Sequence, residues 1–195
     1  MSNDDVLAAA AAGRLPDWSA LTSRRRGHCE RVARLLSDWA AGLGLPAADV
    51  MRWQAAARLH DAVKDAPAAD LRRIVDEPLR TLPDALLHGH AAAARLRADG
   101  VTDRALLDAI AWHTTGHADL EPIGHALYVA DFIEPGRHYL PDTLATWRAR
   151  MPAALPDAVR AVVRMRMQFL LGHGRPIRAE TVAFWNALTA SAGKH

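Results

Sequence analysis

Apolar positions recur along this chain at helical period, and short polar breaks divide the runs. An alanine-rich run over 8–12 gives way at Gly13 and Pro16. From His28 onward, Val32, Leu35, Leu36, Trp39 and Leu43 follow at offsets 4, 7, 8, 11 and 15, one face of a helix predicted over 28–43. Gly42, Gly44 and Pro46 end it. A helix from about Asp49 to Val63 puts Trp53, Ala56, Ala57 and His60 on one face, and Pro67 marks its stop. A third covers 68–76, with Leu71, Ile74 and Val75 inward; Pro78 and Pro83 then bracket a loop. The run Leu86-Leu87-His88-Gly89-His90 opens another helix, which ends near Gly100. Asp103 suits the N-cap of a helix to His113, where Leu106, Ile110 and His113 share a face. A helix over about 120–133 carries Ile123, Leu127, Ala130 and Asp131 at offsets 0, 4, 7 and 8. Beyond Pro135 and Gly136 the pattern predicts two more helices, about 157–172 and 179–190. No β alternation, internal repeat or low-complexity linker interrupts the series. The expectation is an all-α, single helical bundle.

Composition narrows the function classes. Of the residues, 50% are hydrophobic and 24% charged, the profile of an ordinary globular domain with a substantial core. The formal net charge is +2, with both signs interspersed. That argues against a nucleic-acid partner, while a local basic pocket for phosphates stays open. Cys29 is the one cysteine, so neither an internal disulfide nor a thiolate zinc cluster can form. No stretch suits a membrane span, and nothing reads as a secretory leader, so the cytoplasm is the expected location. Neither a glycine-rich phosphate loop nor a nucleophile elbow is present. Lys64 and Lys194 are the only lysines in a chain whose other basic side chains are arginine.

The chemistry gathers around an alanine run over 55–57 that leads into His60-Asp61, an imidazole and a carboxylate side by side. Such pairs ligate divalent cations, but also arise by chance. Other donors stand before and after: His28 on its apolar stripe, His88 with His90 as competitor, His113, and Asp131 on a buried helical face. A carboxylate on such a face is costly unless paired or bound to metal. Each histidine alone has a packing explanation, and a salt bridge would explain Asp131. Together they lie on the inward faces or ends of about five helices, where bundles build metal sites. Imidazole and carboxylate donors without thiolate suit iron, manganese or zinc. Two such ions, about 3.5–4 Å apart in two-metal enzymes, share a carboxylate and hold a bridging hydroxide that attacks phosphorus. Lys64, Arg25 and Arg137 flank the donors and could meet phosphoryl oxygens. The cluster Arg24-Arg25-Arg26-Gly27 reads either as a solvated basic turn or as a phosphate-binding group.

The order His28, His60-Asp61, Asp131 resembles the HD-domain metal-dependent phosphohydrolases, and His88 and His113 look like the two-metal branch. More narrowly, the chain is similar to the YqeK-type symmetrical diadenosine-tetraphosphate hydrolases. The likeness rests on Arg25-x-x-His28, Leu59-His60-Asp61-x-x-Lys64, Leu86-Leu87-His88-Gly89, Ala109-Ile110-x-x-His113-Thr114-x-Gly116, and Tyr128-x-Ala130-Asp131-x-Ile133-Glu134-Pro135-x-Arg137. The resemblance implies an all-α fold divided as an N-terminal helical extension (1–23), an HD core (24–138) and C-terminal helices packing on it (139–195). It implies a di-iron centre, with His28, His60, Asp61 and Asp131 on one metal and His88 and His113 on the second, Asp61 bridging. It selects His88 over His90. It implies cleavage of a dinucleoside tetraphosphate at mid-chain to two nucleoside diphosphates. Asp61, Lys64 and Arg137 would be catalytic, and Arg25, Lys64, Thr114, His117, Glu134 and Arg137 would line the phosphate pocket. His117 stands where relatives often carry a basic residue, and the segment after Leu140, with Trp147 and Trp185, carries none of the motifs. A homodimer is carried as an open expectation.

Three other readings stand beside this one. The metals could serve a mononucleotide phosphatase or a phosphodiesterase. An inactive nucleotide-binding regulator would not need six metal-type ligands. A structural bundle with core histidines would purify without metal.

Overall fold

The computed structural model describes residues 3–192; Lys194 lies outside them. Ten α-helices and no strand occur among the described residues. They are α1 (Asn3–Ala11), α2 (Ser23–Gly42), α3 (Ala47–Leu59), α4 (Ala68–Ile74), α5 (Asp84–Ala98), α6 (Arg104–Trp112), α7 (Pro122–Ile133), α8 (Pro141–Arg150), α9 (Leu155–Gly172) and α10 (Ala179–Ala192). A 3-10 segment, Glu77–Thr81, links α4 to α5. The all-α expectation holds.

The central element is α7. Its sequence is apolar on nearly every side, and Ile123, Leu127, Tyr128, Val129 and Ala130 are all buried. A helix apolar all round needs neighbours on all sides. Here α6, α9, α2, α3 and α8 supply them. Leu36, Leu59, Leu87, Leu96 and Ile110 fill the spaces between, each fully buried. Aliphatic side chains buried to this extent contribute roughly 1.5–3 kcal/mol each. Polar residues that share α7's buried environment, such as Asp131, therefore sit beside the core and must find partners there.

Three local expectations are corrected. Arg24-Arg25-Arg26-Gly27 is not a turn: α2 begins at Ser23, five residues before His28. The Thr22 side chain caps it by accepting from the Arg25 N–H, and Asp65 in turn accepts from the Thr22 N–H and hydroxyl. That last partner is 43 residues away, beyond the reach of local pattern. At the other end Leu43 is the C-cap, 46% exposed rather than part of the buried stripe. Second, α3 stops at Leu59, and 60–65 form a run of tight turns, Ala62 N–H to Leu59 O and Lys64 N–H to Asp61 O. Third, the C-terminal region holds three helices, not two. In α8 only Leu144 is buried, so its periodic signal is faint.

Candidate metal centre

Five elements deliver the six expected donors. His28 comes from α2, His60 and Asp61 from the turn closing α3, His88 from α5, His113 from the C-cap of α6, and Asp131 from α7. All six are buried. Glycine makes one approach close enough: a Cβ at Gly89 would lie 2.7 Å from the Ile110 carbonyl and 2.8 Å from that of Ala111. Without it α5 could not lie against the end of α6, where His88 meets His113.

The donor atoms converge on one small volume. His28 Nε2 stands 3.3 Å from His60 Nε2 and 3.1 Å from Asp131 Oδ1. His88 Nε2 stands 3.0 Å from His113 Nε2 and 3.1 Å from Asp61 Oδ1. Asp61 spans both sets, with Oδ1 also 3.5 Å from His113 and Oδ2 3.6 Å from His60. Ligands at about 2.0–2.2 Å from one ion are separated by spacings of this order. Two triplets, His28–His60–Asp131 and His60–Asp61–His113, each place their donor atoms within 4.8 Å of one another.

Proton placement supports the same conclusion. His60 Nδ1–H donates to the Ala57 carbonyl and His113 Nδ1–H to the Ile110 carbonyl, both at 2.7 Å. His28 Nδ1 meets Glu134 Oε1 at 3.1 Å. With the Nδ1 protons so committed, neutral rings turn their Nε2 lone pairs toward one another and toward two carboxylates. A divalent cation between them would satisfy these lone pairs, and backbone or carboxylate partners on Nδ1 are how proteins orient metal-binding imidazoles. Burial pushes His60 and His88 down to about 4, favouring the neutral, ligating form. Burial opposes charge on His28, yet hydrogen bonds to Asp131 and Glu134 outweigh it and raise its pKa. Burial would raise Asp61, but His60, His113 and His88 hold it well below the usual carboxylate range. Asp131 is held down in the same way, by His28, Arg137 and Arg166 against the effect of burial. The residues present therefore fit divalent cations.

The cluster opens into a pocket of about 400 Å³, whose wall includes Arg25, Lys64, Thr114 and Arg137. Arg25 reaches Asp61 at 2.9 Å and Arg137 reaches Asp131 at 2.5 Å. Lys64 Nζ lies 3.1 and 3.2 Å from the ring nitrogens of His88. The Thr114 hydroxyl is 3.2 Å from His113 Nε2.

Two residues expected at the phosphate pocket stand elsewhere. Glu134 is buried behind His28, accepting from Arg31 Nε at 2.5 Å and from the Gly136 N–H at 2.6 Å. Burial would raise its pKa, but His28 and Arg31 bring it down to about 2, so it stays a carboxylate. Its place is that of an orienting group for His28. His117 packs on the Trp112 ring at 4.8 Å, away from the pocket wall. His90 is also outside the cluster, packed against the same Trp112 ring in a T-shaped contact at 4.5 Å.

Arg166, on α9, was absent from the expected set yet lines the pocket. The signal was present: Val159, Val162, Val163 and Arg166 fall at offsets 0, 3, 4 and 7, an arginine on an apolar stripe. Arg31 was missed too, for lack of any pattern linking it to Glu134, 103 residues on.

Comparison with known proteins agrees with this geometry. A family model for the HD domain matches residues 25–136, more than half of the chain. The chain belongs to the HD-domain family. A symmetrical bis(5'-nucleosyl)-tetraphosphatase of Halalkalibacterium halodurans is 29% identical over 174 residues, 86% of this chain and 90% of that one. One of Bacillus subtilis is 27% identical, over 88% of this chain and 93% of that one. In fold, the chain is similar to an HD superfamily hydrolase from Clostridium acetobutylicum described as involved in NAD metabolism. The TM-score is 0.79 and the identity 22%, over 98% and 99% of the two chains. HD-domain membership with relatives so named makes this chain a hydrolase. No helix of the described residues is long and apolar enough to cross a membrane.

Proposed function

We propose that this HD-domain protein cleaves dinucleoside tetraphosphates symmetrically, diadenosine tetraphosphate giving two ADP. One observation carries the reading: a buried cluster of histidines shares Asp61 and opens into a cation-lined pocket. The tetraphosphatases similar to it over most of their length support the choice of substrate.

His28, His60, Asp61 and Asp131 would hold one divalent cation and His88 with His113 a second, Asp61 belonging to both. Iron is the metal proposed, with manganese and zinc as the other ions this donor set suits. When bound, such cations supply Lewis-acid charge that acidifies water and polarises phosphoryl oxygens.

The chain's own side chains do the rest. Arg25, Lys64 and Arg137 bring fixed positive charge to where phosphoryl oxygens gain negative charge in the transition state. Thr114 offers a hydroxyl beside His113. Glu134 and the Ala57 and Ile110 carbonyls keep the imidazoles from turning. Hydrolysis adds one water across the central anhydride: its oxygen joins one phosphorus, the P–O bond to the bridging oxygen breaks, and each half leaves as a nucleoside diphosphate. The proposed layout keeps residues 24–138 as the metal-holding core, with an N-terminal extension and the C-terminal helices around it.

Product identification tests this. Metal-loaded protein given diadenosine tetraphosphate is expected to yield ADP as its only nucleotide product. ATP with AMP, or faster turnover of mononucleotides, would overturn it.

A further inference from the structure

Arg166 lies 30 residues beyond the matched family segment and on none of the motifs above. The fold nevertheless fixes it in the pocket from three sides. Its Nη1–H donates to the Thr114 carbonyl at 2.6 Å. Its guanidinium lies over the rings of Tyr128 at 4.5 Å and Phe132 at 5.2 Å. Its Nη2 stands 3.3 Å from Asp131 Oδ2. A planar cation held on two aromatic faces has little freedom left to lose when it binds an oxyanion.

Four cations, Arg25, Lys64, Arg137 and Arg166, share the pocket wall with two carboxylates. Asp61 and Asp131 are the carboxylates that line it. Arg25 takes Asp61 at 2.9 Å, and Arg137 takes Asp131 at 2.5 Å. Lys64 sits against His88 and the Ala85 carbonyl. Arg166 pairs with the other Asp131 oxygen, Oδ2, at the longer distance of 3.3 Å, and its Nε is buried without a hydrogen-bond acceptor. Buried donors in native structures are rarely left unsatisfied, and a role at an active site is one reason they are. Here the Thr114 carbonyl and the two rings fix it at the pocket wall.

We propose that Arg166 is a phosphate ligand of this active site, so that α9 completes a pocket whose other cations come from the HD motifs. The proposal rests on reading the site as a phosphohydrolase, but not on where the phosphate chain is cut. It also gives the Thr114 turn a second role, since the arginine that meets phosphate is the one that holds that turn's carbonyl.

The test compares metal-loaded wild type, Arg166→Gln and Arg166→Lys, with inorganic tripolyphosphate as the calorimetric probe. Arg166→Gln is expected to bind it about ten- to a hundredfold more weakly, the loss of one charged hydrogen-bonding partner. Its metal content should stay that of wild type. Arg166→Lys should fall between the two, because it keeps the charge and loses the planar fork. If the glutamine variant does not fold, the lysine variant's affinity below wild type carries the same test. With diadenosine tetraphosphate, KM should rise more than kcat falls. Unchanged tripolyphosphate affinity in both variants would overturn the assignment. So would metal loss in Arg166→Gln that accounts for the weaker binding, since Arg166 would then only position Asp131. If wild type gives products other than ADP while Arg166→Gln still weakens tripolyphosphate binding, the symmetrical reading fails and the assignment of Arg166 stands.

Discussion

The segment from α2 to α7 and the segment from α8 to α10 solve opposite problems. The first buries polar groups: among the described residues, Thr181 is the only buried polar or charged side chain beyond Glu134. The second exposes apolar ones, with Phe169, Leu171 and Val182 all at the surface. A buried imidazole or carboxylate is tolerated only with its partner in place, so the first segment is written in paired residues at fixed spacings. The second supports the site by packing and by bonds to main-chain oxygen. Phe184 lies where a Cβ on Gly116 would come within 2.1 Å, the Thr181 hydroxyl donates to the Thr115 carbonyl, and Arg166 donates to that of Thr114. Carbonyls are the same in every residue, so this support leaves no motif behind.

Breaking the first segment should remove chemistry. Asp61→Ala takes away the carboxylate that lies against His60, His88 and His113, and leaves Arg25 without its closer acidic partner. Turnover should fall below detection and bound metal should drop; full metal content and activity would take Asp61 out of the site. Breaking the second should remove stability first. Phe184→Ala empties a fully buried ring site against Gly116 and Tyr128, a loss of about 3–5 kcal/mol in denaturant unfolding. Metal per folded chain should not change. Loss of metal without loss of stability would erase the distinction between the segments.

A smaller effect probes the orienting layer. Glu134→Ala leaves His28 Nδ1–H and Arg31 without their acceptor. Metal affinity is expected to fall about ten- to a hundredfold, read by competition with a chelator. Phosphate binding by the loaded protein should be unaffected, in contrast with Arg166→Gln. The smallest effect lies away from the site. Asp103 caps α6 and receives both Arg52 nitrogens at 2.5 and 2.9 Å. Burial would raise its pKa, but Arg52 and the Leu106 N–H lower it. Its stabilising contribution is therefore complete above the unfolded carboxylate pKa of about 3.9 and is lost as pH falls through the lower folded value. Asp103→Ala should cost about 1 kcal/mol at neutral pH, and the gap to wild type should close in acid.

Sequence pattern found α5, α6 and α7 closely, because each apolar run is bounded by proline, glycine or a capping aspartate. It put His28, His60, His113 and Asp131 on inward faces; Asp61 stood out beside His60, and His88 rather than His90 came from the resemblance to the HD-domain family. It failed where long-range partners decide. The start of α2 depends on Thr22 and Asp65, the place of Glu134 on Arg31, and the third C-terminal helix on the burial of Leu144 alone. His117 looked like a pocket residue because it ends a polar turn where relatives often carry a basic residue, but it packs on Trp112 instead.

As proposed, six buried side chains form a centre for two divalent cations. Metal analysis of the wild-type chain, purified anaerobically, tests it most directly. About two transition-metal ions per chain are expected, with content falling in Asp61→Ala. A folded wild-type chain that carries no metal, and takes none up from added iron, manganese or zinc, would contradict it.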